Sequence, residues 1–343
     1  MAESKRVSVI LAGGSGTRFW PLSQKGCPKQ YLNLFGKRSL IQHTWDRLSK
    51  LSKAQDIWVC SSQAQKKILS KQLPKTKTIL EPAACNTGPA VLLSALQLLR
   101  AGYSEEDVMA VFPADHYITD PSAFDRVLKQ AFAVAGQTGS LVTLGITPTS
   151  AHTGYGYIEA GAGAAGGWYR VSRFVEKPDR ARAEQFLTSG KFFWNAGIFV
   201  WRIGSILEAF RELAEKDFLL LSKAKTQTAM AKAYRTVSKL PVDKMILEKS
   251  SKVCMVPANM GWSDVGSWSA LWELKNQDRQ GNSIEAAQAS TVDTSGCLVH
   301  AVGKSVATIG VKDLIIVVEG DSILICAKPQ DQLVRDAAIA LDK

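Results

Sequence analysis

Arg18 and Lys29 flank a glycine-rich loop, Ala12-Gly13-Gly14-Ser15-Gly16-Thr17, which follows directly on an apolar strand from Val7 to Leu11. Bare glycine backbone lets successive N–H groups turn toward one anion and approach it closely. The two cations add fixed positive charge around the same loop, and the sum is a site for a highly charged phosphate ester. A P-loop would need Gly-x-x-x-x-Gly-Lys-Ser/Thr, which the chain lacks, and a dinucleotide fingerprint would need a third glycine where Phe19 stands. The bland alternative is a glycine turn between a strand and the next element. Arg18, Pro21, Pro28 and Lys29, following in order, favour the functional reading.

Transfer of a phosphoryl or nucleotidyl group needs in-line positioning and neutralisation of developing charge more than covalent help. Oxygen-ligated Mg²⁺ normally supplies part of this, held by one or two carboxylates plus the substrate's phosphates. Asp115 lies in Pro113-Ala114-Asp115-His116 after a strand from Asp107 to Phe112. Asp264 lies in Gly261-Trp262-Ser263-Asp264-Val265-Gly266 after a strand ending near Pro257. Taken singly, each reads as a turn or helix-cap residue; beside the glycine loop, the pair reads as a metal site. His116 reads as structural.

These residues reach a known family. Leu11-Ala12-Gly13-Gly14-Ser15-Gly16-Thr17-Arg18, then Trp20-Pro21-Leu22-Ser23, then Pro28-Lys29-Gln30 resemble the signature of the sugar-1-phosphate nucleotidylyltransferases. The Trp-Pro-Leu-Ser and Pro-Lys-Gln variants are similar to its mannose-1-phosphate guanylyltransferase branch. The resemblance implies transfer of GMP from GTP to mannose-1-phosphate, giving GDP-mannose and pyrophosphate. It implies Mg²⁺ on Asp115 and Asp264, with Arg18, Lys29 and Lys177 as the cations that hold phosphates. Leu11, Ala12, Gly13, Gly14, Gly16, Thr17, Asn86 and Asp115 match positions that hold the nucleotide; Gly156, Glu159, Glu176, Lys177 and Asn195 match those that hold the sugar phosphate. Glu81-Pro82 with Asn86-Thr87 resembles a nucleoside-contacting loop. Taken alone, Lys177 is a solvated strand-end charge and Phe193 to Phe199 a buried apolar strand with Asn195 satisfied internally. The family usually carries Arg where Gln24 and Cys85 stand, so two auxiliary cations are absent, a change that bears on substrate affinity. Two alternatives stay open: the same chemistry with another nucleotide or hexose-1-phosphate, and a non-catalytic nucleotide-sugar-binding subunit.

Those side chains must be positioned by an alternation of strands and helices. Helices are expected over Ser39 to Lys53, Gln63 to Gln72, Gly88 to Arg100 and Pro121 to Ala135, and strands over Asp56 to Cys60, Lys77 to Leu80, Asp107 to Phe112 and Leu141 to Ile146. Such alternation predicts an α/β fold with a mostly parallel, Rossmann-like sheet and ligands at the carboxyl ends of its strands. The resemblance makes it the nucleotide-diphospho-sugar transferase fold. Tyr155 to Ala160 and Trp168 to Lys177 predict an antiparallel hairpin roofing the site, its tip the low-complexity Gly161 to Gly167. Helices are expected at Arg180 to Ser189, Gly204 to Lys216 and Ser267 to Asn276, a mostly helical stretch at Phe218 to Lys239, and a strand at Val253 to Pro257. The polar segment from Asp278 to Ala289 reads as a linker or boundary. Beyond it, Gly296 to His300, Ser305 to Gly310, Leu314 to Val318 and Ile323 to Cys326 read as short strands closed by a helix from Asp331 to Leu341. The expected domains are thus residues 1–280, catalytic, and 281–343, a small β domain; the resemblance makes the latter β-helix-like and suggests a homodimer.

A formal charge of +11 suits anionic partners. Dense basic runs with interleaved aromatics are absent, so small phosphorylated substrates account for the sign better than nucleic acid. No run approaches ~20 apolar residues, and the first six residues lack the apolar region of a signal peptide, which predicts a cytoplasmic protein without membrane partners. Six cysteines without a Cys-x-x-Cys pair, and four histidines without metal-ligand spacing, predict reduced thiols and no structural zinc.

Overall fold

The structure, a computed structural model, describes residues 4–14, 16–24 and 26–341. Ser15 of the glycine loop, Lys25, and the chain ends, including the first residues of the stretch read as free of a signal peptide, lie outside the described residues. The chain divides into two compact units. One comprises Met1–Gly13, Thr44–Ala114 and Ile118–Trp262; the other comprises Gly14–His43, Asp115–Tyr117 and Ser263–Lys343.

A nine-stranded sheet carries the first unit. Its strands are β1 (Arg6–Ala12), β2 (Ile57–Ser62), β3 (Lys77–Glu81), β4 (Val108–Pro113), β5 (Leu141–Ile146), β6 (Gly156–Ala164), β7 (Trp168–Glu176), β8 (Phe192–Arg202) and β9 (Val253–Pro257). They lie in the order β3-β2-β1-β4-β8-β5-β9-β7-β6, with β6 also pairing to β8. β1 is parallel to β2 and β4, β2 to β3, and β5 to β9. β8 runs antiparallel to β4, β5 and β6, and β7 to β9 and β6. Seven strands therefore point one way, and only β7 and β8 oppose them, which is the mostly parallel sheet expected. Val7, Val9 and Ile10 of β1 are all fully buried, the continuous burial of a strand covered on both faces. The helices Thr87–Arg100 and Ile203–Leu213 supply part of that cover, packing Leu92 and Phe210 into one cluster with Val9, Val111 and Trp201.

The second unit carries a four-stranded sheet of β10 (Ser283–Val292), β11 (Leu298–Ile309), β12 (Leu314–Glu319) and β13 (Ser322–Ala327), in that order. β10, β11 and β12 are parallel and β13 is antiparallel to β12. Parallel neighbours in a flat sheet need long crossovers; here short corners suffice, turned at Asp293, Gly296, Gly310 and Asp313, all with positive φ. That is the coil of a β-helix-like domain. Its core joins Leu298, Ile315, Val317 and Leu324 to Phe19, Leu32, Leu34 and Trp268.

The structure corrects several expectations. The hairpin of β6 and β7 extends the sheet, and β6 runs on to Ala164. A Cβ on Gly161 would stand 2.5 Å from Ser172 Oγ and 3.1 Å from Arg170 O, so the two strands approach closely there. The stretch around Asn195 is β8, antiparallel in mid-sheet. The linker expected at 278–289 is a turn only as far as Asn282, where Asp278 Oδ1 accepts from the backbone N–H groups of Gln280 and Asn282; a strand starts at Ser283. Its polar composition reflects outward-facing positions of β10. Gly296 to His300 and Ser305 to Gly310 merge into one strand, β11, with a register shift against β10. The helix after Ser39 stops at Leu48, and the stretch from 218 to 239 holds two short helices, the second starting where Thr226 caps Ala229 N–H.

Candidate active site

In the second unit the glycine loop closes on the Pro28-Lys29-Gln30 segment. Gly16 has φ +62°, and a Cβ there would stand 2.6 Å from Lys29 N. Gln30, buried, donates its Nε2 to Gly14 O at 3.1 Å. Lys29 is itself buried. Its Nζ donates to Asp115 Oδ2 at 2.8 Å and to the backbone carbonyl of Asp264 at 2.5 Å. An ammonium has three N–H groups, so one is left for an anion. Burial raises the Asp115 carboxyl, but the Lys29 charge and hydrogen bond, with His116, outweigh this and hold it below the ordinary carboxylate value. Asp264 bends over the next turn, where Gly266 N–H donates to its Oδ1 at 3.1 Å. Arg18, exposed, donates from Nη1 to Gly266 O at 3.3 Å. A cleft of about 290 Å³ gathers Gly16, Thr17, Arg18, Lys29, Asp115 and Asp264 with Arg335.

A divalent cation fits this donor set. The Asp115 carboxylate and the Asp264 carbonyl meet at the Lys29 ammonium, the Asp264 carboxylate lines the same cleft, and every one of these donors is oxygen, as Mg²⁺ prefers. Among the described residues no group of three or more His, Cys, Asp or Glu is placed to hold a metal.

The first unit holds two further groups. Glu81, at the end of β3, is buried beside Gly13 and accepts from Tyr234 OH at 3.1 Å. Burial pushes its carboxyl up to about 7 despite that hydrogen bond. Asn86 caps the helix Thr87–Arg100, its Oδ1 accepting from Thr87 N–H at 2.9 Å. The second group gathers at Gly156, where a Cβ would stand 2.8 Å from Glu176 Oε2 and 3.5 Å from Asn195 Cβ. Lys177 pairs with Glu176 at 3.3 Å and is largely exposed. Asn195 Nδ2 donates to Asp243 Oδ1 at 2.8 Å.

Residues 7–281 match the nucleotidyl transferase family, and residues 288–338 match the mannose-phosphate isomerase/GMP-like beta-helix domain. The chain belongs to the nucleotidyl transferase family. Among curated relatives, the alginate biosynthesis protein AlgA of Pseudomonas aeruginosa is 36% identical over 98% of this chain and 72% of its own length. The mannose-1-phosphate guanylyltransferase of Klebsiella pneumoniae is 38% identical over 96% of this chain and 72% of its own. A crystal structure described as mannose-1-phosphate geranyltransferase from Thermus thermophilus superposes with a TM-score of 0.91, at 32% identity, covering 99% of this chain and all of that one.

Of the residues that the family resemblance singled out, the second unit brings together Gly16, Thr17, Arg18, Lys29, Asp115 and Asp264. The first brings together Gly156, Glu176, Lys177 and Asn195. Glu159 stands apart from them, three residues along β6 from Gly156 and paired to Arg173 at 3.1 Å. Leu11 and Ala12 end β1 and offer backbone, whereas Gly13 and Gly14 are exposed. Cys85, where the family usually carries Arg, is buried and donates its thiol to Tyr234 O at 3.3 Å. Sequence reasoning missed Tyr234, Asp243 and Arg335. One backbone feature recurs in both units. Asn86, Lys177 and Val265 are three of five non-glycine residues with positive φ among those described. Such backbone costs about 1–3 kcal/mol each; the other two, Asp293 and Asp313, turn the corners of the β-helix-like domain.

Proposed function

We propose that the chain transfers GMP from GTP to mannose-1-phosphate, releasing GDP-mannose and pyrophosphate. A phosphate oxygen of mannose-1-phosphate attacks the α-phosphorus of GTP in line. The new P–O bond forms as the bond to the β-phosphate oxygen breaks, and pyrophosphate leaves with the electron pair. No general base is needed, because the nucleophile is already an anion.

The observation that carries this reading is the buried Lys29 ammonium, fixed by Asp115 and the Asp264 carbonyl in the segment on which the glycine loop closes. A preorganised cation of this kind stabilises charge that grows on phosphate oxygens and needs no reorganisation during the reaction. The loop amides and Arg18 hold the triphosphate and the departing pyrophosphate. Asp115 and Asp264 would hold Mg²⁺, which when bound neutralises phosphate charge as a Lewis acid. In the first unit, Gly156 gives the sugar close approach, Glu176 and Asn195 meet its hydroxyls, and Lys177 meets its phosphate. The Glu81 carboxyl offers acceptors of the kind that suit the N1–H and N2–H₂ edge of guanine.

The base and sugar named here rest on the relatives' names together with the Trp-Pro-Leu-Ser and Pro-Lys-Gln variants. The test is pyrophosphate release from GTP, ATP, UTP, CTP and dTTP, each paired with mannose-1-phosphate or glucose-1-phosphate. Release confined to GTP with mannose-1-phosphate is expected. Release with another pair would change the substrates, and silence across the panel from folded protein would point to a binding subunit.

A further inference from the structure

Asn195 sits on β8 where the strand departs from regular pairing. Thr143 of β5 faces Phe199, yet Gly145, two residues on, faces Asn195, four residues back on β8. The extra residues are accommodated at Gly197, whose φ is +65°. This kink turns the Gly197 N–H back onto the Asn195 side chain at 3.1 Å, and Thr143 Oγ1 reaches the same atom at 3.0 Å. A backbone N–H only donates, so that atom is the amide oxygen, and the nitrogen faces Asp243. The amide orientation is thus forced by its neighbours. Its oxygen already accepts two hydrogen bonds, filling both lone pairs, and its nitrogen spends one N–H on Asp243 Oδ1 at 2.8 Å.

We infer that Asp243 and Thr143 are positioning residues which lock Asn195 so that it offers the sugar one N–H donor and no acceptor. This rests on the reading of Asn195 as a sugar contact and deepens it. A freely rotating asparagine would meet a hydroxyl as either partner. The locked one meets only a lone pair, so the hydroxyl it contacts must send its own proton elsewhere, and the Glu176 carboxylate beside Gly156 is an acceptor at hand. Toward Asn195, Asp243 serves as an acceptor through Oδ1. Burial and the neighbouring Glu176 push its carboxyl up to about 7, and an asparagine could take its place toward Nδ2 through its own oxygen.

The experiment is steady-state kinetics of pyrophosphate release with the full chain. Asp243→Ala and Thr143→Val are each expected to raise KM for mannose-1-phosphate about tenfold, with KM for GTP and kcat within about threefold. Asp243→Asn should recover most of the loss. Monofluoro and monodeoxy mannose-1-phosphates at C2, C3, C4 and C6 give the readout that a merely structural role would not move. Fluorine accepts but cannot donate, so at one carbon the fluoro compound should outperform the deoxy compound in wild type, and Asp243→Ala should erase the difference. An unchanged KM in Asp243→Ala, an Asp243→Asn variant as impaired as the alanine, or no carbon that separates fluorine from hydrogen would each overturn the inference. If wild type turns over a different hexose-1-phosphate, the substrate proposed above fails while the same variants are read on that sugar. If wild type binds no hexose phosphate by calorimetry, both fall.

Discussion

Gly16 and Lys29 touch backbone to backbone, so the glycine loop and the lysine that serves it form one piece. A Cβ on Gly16 would stand 2.6 Å from Lys29 N and 3.0 Å from its Cα, and the φ of +62° is itself unfavourable for any L side chain. Gly16→Ala must therefore push the Lys29 backbone away. We expect a stability loss of about 1–3 kcal/mol and a fall in kcat of roughly 10²-fold, read by denaturant unfolding and pyrophosphate release. Wild-type turnover in this variant would separate the loop from the lysine's task.

Lys29 and Asp115 set the second prediction. Asp115→Asn keeps the shape but removes the charge that faces Lys29 and the candidate metal site, so turnover should fall at least ~10²-fold with the fold retained and the melting temperature at neutral pH lowered, because Lys29 loses its ion-pair partner. Chelation with EDTA should silence wild type, and Mg²⁺ should restore it. Because the native pKa of Asp115 is lowered, the stability it contributes is present above the unfolded carboxylate value and is lost as pH falls through the lowered native value. Acid unfolding of Asp115→Asn should accordingly be shallower than that of wild type. Activity that survives both the substitution and the chelator would remove Asp115 from the mechanism.

Glu81 predicts the opposite slope. Its unfolded reference is 4.5 and its native value is about 7, so the native state holds the extra proton between them. The contribution is complete below about pH 4.5 and is lost as pH rises through 7, about 3 kcal/mol across the window. Asp243, also raised to about 7, acts with the same sign. Glu81→Gln should be more stable than wild type at pH 8 and flatten the decline measured by urea unfolding between pH 5 and 8. A decline that persists unchanged would show that Tyr234 and the solvent accommodate the ionised carboxyl.

The parts legible in the sequence are those set by short-range chemistry. β1 and the glycine turn announce themselves through an apolar run ending in bare backbone, and Asp115 follows because it stands just past the end of a strand. β8 was harder, because Phe193-Trp194-Asn195-Ala196-Gly197 carries no periodic polar face: both sides of a mid-sheet strand are covered. Its antiparallel direction depends on where the chain returns, which no local pattern encodes. Asp243 was invisible because its meaning lies in Asn195, 48 residues away. Near Asp278 the boundary was legible, since the two family matches meet between residues 281 and 288, but the strand from Ser283 was not: outward positions of a small solvated sheet are as polar as a loop.

Arg335 carries the last prediction. The family resemblance puts arginines where Gln24 and the buried Cys85 stand, and neither residue here carries a positive charge. Arg335 stands on the terminal helix Val334–Leu341, exposed, and lines the cleft with Arg18, Lys29 and Asp115. A long exposed guanidinium there suits a phosphate oxygen, which it can grip through two N–H groups. Arg335→Ala should raise KM for GTP, and the inhibition constant for pyrophosphate, by about ten- to a hundredfold, the worth of one charged hydrogen bond of roughly 1.5–3 kcal/mol. KM for mannose-1-phosphate and the melting temperature should hold, since the side chain is exposed. Arg335→Lys should recover part of the loss, because a point charge keeps the attraction but not the paired geometry. If neither variant moves KM for GTP or inhibition by pyrophosphate, the triphosphate depends on Arg18, Lys29 and the loop amides alone, and the missing arginines are uncompensated.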